Sequence, residues 1–323
     1  MRRTRRIWRA MAGLGLCTAT VAGCTLGAAS PQNGPDDGPR QVRELTEREK
    51  DLLSHAEALL TGACMRERGF RYVVLPPSTY PDSVRDFPYG IDDVAWARRH
   101  GFGSQLRRTV QRQAARDPNP RYLRSLSEKR GQAYMDALAE KKSARVSVEL
   151  PGGYTVSGST KGCAPEAQRA LYRDFEGWFR SSTAVDSLAS EYQAKVTGHR
   201  DYRAALDRWS DCMSDRGYRV AHPGRLRETE AAETEREPTA KEPTAKEPTA
   251  KEPTAKELAR EKKAATAEAR CARQSGLADT AHQLEKRYKA EVRAARKKQI
   301  RQHLTLAHEA LPRAREVIKQ RAD

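Results

Sequence analysis

The chain of 323 residues carries 60 Lys and Arg against 43 Asp and Glu, for a formal net charge of +17, and 32% of it is charged, against about 25% in a typical globular domain. Such a balance keeps a surface hydrated and by itself names no partner. It leaves nucleic-acid binding resting on charge alone.

The first 24 residues set five arginines ahead of a modestly apolar run, Ala10 to Ala22, which is too short to span a bilayer and has the layout of an export signal. It closes on Val21-Ala22-Gly23-Cys24, which resembles the lipobox of bacterial lipoproteins. The resemblance implies that Cys24 receives a thioether-linked diacylglycerol and becomes the new N-terminus. An ordinary secretory peptide cleaved after Ala29 is the alternative, and Thr4-Arg5-Arg6 hints weakly at twin-arginine export. Without residues 1–23 the net charge is about +12. Outside a membrane that excess points to lipid headgroups and anionic envelope polymers before nucleic acid, which is not expected as a partner.

Thr46 and Glu49 have capping-box spacing, and Leu53, Ala56, Leu60 and Ala63 follow on one helical stripe. The stripe runs into GACMRERGFRYVV from residue 62. The stretch SDCMSDRGYRVAH from residue 210 repeats the arrangement, with Tyr202, Leu206, Trp209 and Met213 on the helical stripe around Cys212. In both, Gly69 or Gly217 supplies the left-handed residue that ends a helix cheaply. An extended segment is expected after each, Phe70 to Leu75 and Tyr218 to Ala221.

Between them, FPYGIDDVAWARRHGFG (87–103) predicts a turn and a short helix. Asp92 and Asp93 invite a general acid and base reading. Adjacent residues on a helix point about 100° apart, however, and Asp at a helix start caps amides, so capping is the expectation. Asp117-Pro118-Asn119-Pro120 predicts a loop. Val146, Val148 and Leu150 alternate with polar residues, Pro151-Gly152-Gly153 turns, and Tyr154 and Val156 resume the alternation, which predicts a β-hairpin at about 144–157.

GCAPEAQRALYRDFEGWF at 162 and RCARQSGLADTAHQLEKRY at 270 both place Cys-Ala beside or within a helical pattern. Each half of the chain therefore reads helix, Cys-Met, Gly-aromatic, then Cys-Ala. Cys64, Cys163, Cys212 and Cys271 predict two disulfides, and the internal symmetry favours Cys64 with Cys163 and Cys212 with Cys271. Loops of that length give roughly 4 to 5 kcal/mol each in the chain-entropy model. These cysteines lie dozens of residues apart without a histidine at ligand spacing, so no metal and no cofactor is expected.

From Glu237 to Lys256 the pentapeptide EPTAK occurs four times. Recurrent proline and the lack of large apolar side chains predict a solvated, disordered loop. Thr239, Thr244, Thr249 and Thr254 are candidate O-glycosylation sites. Beyond it, Glu257 to about Leu311 reads as one long helix or two. Its apolar stripe is Leu277, Leu284, Tyr288, Val292 and Ala295, flanked by Arg293, Arg296, Lys297, Lys298 and Arg301. The stripe is expected to pack on its own domain, with a membrane surface as the alternative.

CMRERGFRYVV, FPYGIDDVAWARRHGFG, KGCAPEAQRALYRD, WSDCMSDRGY and CARQSGL, in this order, resemble the uncharacterised secreted lipoproteins common in actinobacteria. The resemblance covers about residues 45–290 and implies location, the cysteines and a mainly helical fold. It carries over no catalytic residue, and the EPTAK insertion departs from it.

The expected organisation is a signal peptide over 1–23, a flexible tether over 24–43, a disulfide-braced half over 44–195, a second half over 196–311 interrupted by a disordered segment at 233–257, and a frayed tail over 312–323. The fold is mainly α with one small hairpin. The expected role is an envelope lipoprotein at the outer face of the membrane, a binding or structural module. No HExxH, GxSxG or P-loop is present. The alternative is a wall-acting hydrolase whose site is assembled from distant acids among Asp92, Asp93, Glu166 and Asp174.

Overall fold

The computed structural model describes residues 42–75, 84–141, 144–236 and 253–322. The expectations for the export signal, for Cys24, for nearly all of the tether and for Thr239, Thr244 and Thr249 lie outside them.

Helix α1 (Glu47–Glu67) opens on the predicted capping box: Thr46 Oγ1 accepts from the Glu49 amide at 3.3 Å, and the Glu49 carboxylate accepts from the Thr46 amide at 2.9 Å. Its end explains the repeated motif. Gly69 takes φ 77°, its N–H reaches Arg66 O at 2.9 Å, and the Phe70 N–H reaches Met65 O at 2.9 Å. In α9 (Arg200–Asp215) Gly217 takes φ 88°, with its N–H on Ser214 O at 2.9 Å and the Tyr218 N–H on Met213 O at 2.9 Å. Both are Schellman ends, in which the residue after the glycine packs on the methionine five positions earlier. Met65 and Phe70 share one apolar cluster, and Met213 and Tyr218 share another. The motif is a helix terminator, and the cysteine before the methionine is the point from which the last turn is tied elsewhere.

Helix α2 (Val94–His100) is short, and α3 (Ser104–Ala115) leads to α4 (Pro118–Ser125) and α5 (Glu128–Leu138). The predicted loop at 117–120 is corrected. Asp117 is the N-cap of α4 and accepts from the Asn119 amide at 2.9 Å, and the prolines occupy the first turn, where amide protons have no helical partner anyway. Asn119 then brackets the extended segment after α1: its carboxamide accepts from Val73 N and donates to Val73 O, each at 2.8 Å.

Strands β1 (Arg145–Glu149) and β2 (Thr155–Ser159) form an antiparallel hairpin with Val148 opposite Val156. It packs on α7 (Phe175–Asp186), where Arg180 donates to Ser147 O at 2.6 Å. Between hairpin and α7 lies α6 (Cys163–Tyr172), entered through Gly162 at φ 111°. A Cβ at Gly162 would sit 2.7 Å from Leu138 O and 2.9 Å from the Ala139 backbone. Gly162→Ala is therefore expected to cost about 1–3 kcal/mol or more in thermal unfolding, whereas Gly198→Ala, which meets nothing within 4 Å, is the neutral control.

The chain continues through α8 (Leu188–Gly198), α9, α10 (Pro223–Arg236), α11 (Ala255–Gln274), α12 (Leu277–Ala295) and α13 (Lys297–Ala322). Order reaches further toward the repeat than the expected bounds of 233–257, because α10 ends at Arg236 and α11 starts inside the last EPTAK unit. Thr254 caps α11 in a second capping box with Glu257, accepting from its amide at 3.2 Å, so this candidate glycosylation hydroxyl is engaged with backbone. The predicted one or two helices after the repeat are three.

The expected fraying beyond Pro312 is also corrected. Helix α13 continues through the proline because its buried face continues on both sides. Ala307, Ala310, Leu311 and Ala314 are buried against Leu53, Ala56 and Leu171, and Val317 and Ile318 pack beside them. The small alanines allow α13 to approach α1, and that packing outweighs one missing helical hydrogen bond.

Two disulfides, Cys64–Cys163 and Cys212–Cys271, close sequence separations of 99 and 59 residues, the pairing that the internal symmetry favours. The symmetry does not extend to the Cys-Ala helices: Cys163 begins α6, whereas Cys271 lies near the end of α11. The apolar stripe of α12 faces inward, with Leu277, Leu284 and Val292 buried, while Arg293 pairs with Glu44 and Arg296 with Glu191. Among the described residues no helix is long and apolar enough to cross a membrane, and the disulfides are compatible with an extracytoplasmic location.

Candidate functional site

The segment from Arg85 to Asp93, ahead of α2, forms one wall of an open cleft of about 1080 Å³. It is held to the body at each step. Gly90 takes φ 110°, and a Cβ there would meet Pro223 at 2.8 Å and Glu268 Oε1 at 3.1 Å, so only glycine lets the turn lie this close. Ile91 is buried, and its N–H donates at 2.7 Å to Glu268 Oε1, on α11. The fully buried Glu268 also accepts from Arg227 at 3.0 Å, while its Oε2 has no partner among the described residues. Burial raises its pKa to about 7, against the lowering effect of Arg227.

The two aspartates divide their roles. Asp93 is the N-cap of α2, accepting from the Trp96 amide at 2.9 Å and from Arg85 at 2.6 Å, and these two bonds hold its carboxyl below the usual range. Capping therefore describes Asp93 but not Asp92. The Asp92 carbonyl accepts from Arg273 Nε at 2.7 Å, and its carboxylate meets His282 Nε2 at 2.8 Å. The carboxylate is mostly covered while the imidazole faces solvent. A histidine against a covered carboxylate can take a proton from a bound group and hand it on.

The opposite wall is α12, which presents His282, Glu285, Lys286 and Lys289, and α8 adds Tyr192. Tyr89 is buried edge-on to Tyr202 at 6.0 Å, and its hydroxyl has no hydrogen-bond partner among the described residues. Burial first, then the charge of Glu285, pushes the Tyr89 and Tyr192 phenols up. The cleft thus combines Phe87, Tyr89 and Tyr192 with carboxylates and ammonium groups, a surface able to stack on an apolar face while bonding hydroxyls around it.

Glu166 and Asp174, the other candidate acids, do not line the cleft. Glu166 pairs with Arg68 at 2.7 Å beside the Cys64–Cys163 disulfide, and Asp174 caps α7 through the Gly177 amide at 2.8 Å. Cys64, Cys163 and Glu166 come within 4.8 Å of one another, but sulfurs joined to each other have no thiolate to offer a metal. Sequence reasoning missed His282, Glu285, Tyr192 and Arg273. The signal was a polar stripe at 279, 282, 286 and 289, with Glu285 beside it, next to the apolar stripe of the same helix.

Compared with known proteins, the chain matches no family model, and neither a curated protein nor a solved structure matches it.

Proposed function

We propose that this chain is an envelope lipoprotein, anchored through Cys24 at the outer face of the membrane, whose body binds a hydroxyl-rich, sugar-containing ligand of the envelope in the Asp92–His282 cleft. The observation that supports it is the cleft lining: aromatic faces of Phe87 and Tyr192 next to Asp92, Glu285 and Lys286. Aromatic rings cover the C–H faces of a sugar, and carboxylates accept from its hydroxyls in pairs. The lipobox, the disulfides and the resemblance to secreted actinobacterial lipoproteins support the location.

The test titrates soluble cell-wall glycan fragments into the folded protein by calorimetry. Tyr192→Ala is expected to weaken binding at least tenfold with thermal stability unchanged. Lack of binding by the parent protein would overturn the cleft reading. Mass spectrometry of membrane-extracted protein is expected to find a diacylated Cys24; an unprocessed N-terminus would overturn the anchor.

A second reading, a wall-acting hydrolase, is favoured by one observation, the 2.8 Å Asp92–His282 contact inside an acid-lined cleft. It predicts glycan fragmentation on prolonged incubation, abolished in His282→Ala while binding persists.

A further inference from the structure

Away from the cleft, a hollow of about 370 Å³ opens between α2, the end of α9 and α11. Its charged lining is wholly cationic: Arg98, Arg216, Lys262, Lys263 and Arg270, around Tyr218. Lys263 and Arg270 lie seven residues apart on α11, two turns along one face. Arg98 comes from α2 and Arg216 from the C-cap of α9, so residues far apart in sequence converge on one concavity.

Several basic side chains elsewhere in this protein are matched by acids, as in Arg68–Glu166 at 2.7 Å, Lys195–Glu291 at 2.9 Å and Arg260–Glu230 at 3.1 Å. Arg98, Lys262, Lys263 and Arg270 have no acidic partner among the described residues. Gathering like charges in a hollow costs energy unless an anion occupies it.

The site is also braced. Arg216 donates at 2.8 Å to Gln274 Oε1, and its Nε lies 3.2 Å from Cys271 Sγ. The Cys212–Cys271 disulfide fastens the last turn of α9 to α11, setting Arg216 against the face that carries Arg270. Burial pushes the Tyr218 phenol up, and its hydroxyl is a further donor at the rim.

We infer that this hollow is an anion site that takes phosphate groups of a polyanionic envelope polymer, held by Arg98, Arg216, Lys263 and Arg270. Guanidinium groups match phosphate oxygens in pairs, and lysines add point charge. A lipid headgroup has the same chemistry, but among the described residues the exposed large hydrophobics Leu75, Val84, Tyr154 and Val156, which could enter a bilayer, do not line the hollow. The polymer as source rests on the envelope location proposed above; the phosphate site does not.

The experiment titrates inorganic tripolyphosphate into the protein, followed by calorimetry at two ionic strengths, beside sedimentation with vesicles of phosphatidylglycerol and phosphatidylcholine in equal parts. Tripolyphosphate is expected to bind, more weakly at higher salt. The double variant Lys263→Gln, Arg270→Gln is expected to weaken it at least tenfold, with an unchanged melting temperature. The double variant Arg121→Gln, Arg124→Gln removes the same charge from α4 and is expected to change it less than twofold. Absence of binding to both tripolyphosphate and vesicles, or an equal loss in both variants, overturns the site. Vesicle capture through Lys263 and Arg270 without affinity for tripolyphosphate overturns the polymer in favour of a lipid headgroup. An intact tripolyphosphate site in a protein whose Cys24 is unmodified would leave the site standing while the anchor fails.

Discussion

Replacing Cys212 and Cys271 together by alanine is expected to lower the unfolding free energy by about 4 kcal/mol, the chain-entropy value for a loop of this length. The link closes 59 residues, and those residues include the EPTAK repeat, which adds chain to the loop without adding an apolar core. The unfolded state therefore gains the freedom of a long segment when the bond is absent. In the folded state the bond joins the last turn of α9 to α11 beside the buried Trp209, Met213 and Ala272, and alanine at Cys271 leaves only a small void there. Equilibrium unfolding in urea, non-reducing, checks the figure. A loss below about 1 kcal/mol would show that packing between α9 and α11 confines the chain without the bond. The same variant is expected to weaken tripolyphosphate binding, because Arg216 then loses its brace against α11.

Glu268→Gln is expected to raise stability at pH 8 by up to about 3 kcal/mol while changing it little at pH 5. Burial raises the folded carboxyl from an ordinary 4.5 to about 7, and that difference corresponds to about 3 kcal/mol. The sign follows from proton counting. Between those two values the folded state holds one proton more than the unfolded state, so stability is full below about pH 4.5 and falls as pH rises through about 7. Glutamine remains neutral and removes the fall. Its carboxamide oxygen can still accept from Ile91 N and from Arg227, the two groups now on Glu268 Oε1. Urea unfolding at the two pH values decides the matter: an equal difference at both would place the cost in packing instead of ionisation. Because Glu268 anchors the turn that walls the cleft, the parent protein is also expected to hold that wall more firmly below pH 7 than above it.

The local chemistry of this protein was legible in its residues. Cys-Met, three residues, Gly-aromatic encodes a Schellman end because each requirement of that end is met within six residues: a left-handed glycine, an apolar partner before it and another after it. Thr46 with Glu49 and the alternation around Pro151-Gly152-Gly153 are short-range statements of the same kind. The repeated motif also marked which cysteines belong to which half.

Where requirements span the chain, the residues alone could not decide. Asp92 and Asp93 are chemically identical neighbours, and only the arrival of His282, 190 positions later, separates an acid with a partner from a cap. Pro312 reads as a stop because its cost is local, whereas the alanine face that overrides it exists only once α1 and α6 are in place. The cationic hollow is diluted in a chain that is basic throughout. Its meaning comes from Arg98, Arg216 and Arg270 meeting without a carboxylate among them. Sequence determined the Schellman ends and the hairpin, since backbone geometry and nearest neighbours set them, and its repeated motif pointed to the cysteine pairs. Tertiary structure decided the cleft, the continuation of α13 and the anion site, since those depend on which distant surfaces are pressed together and which charges are left without a partner there.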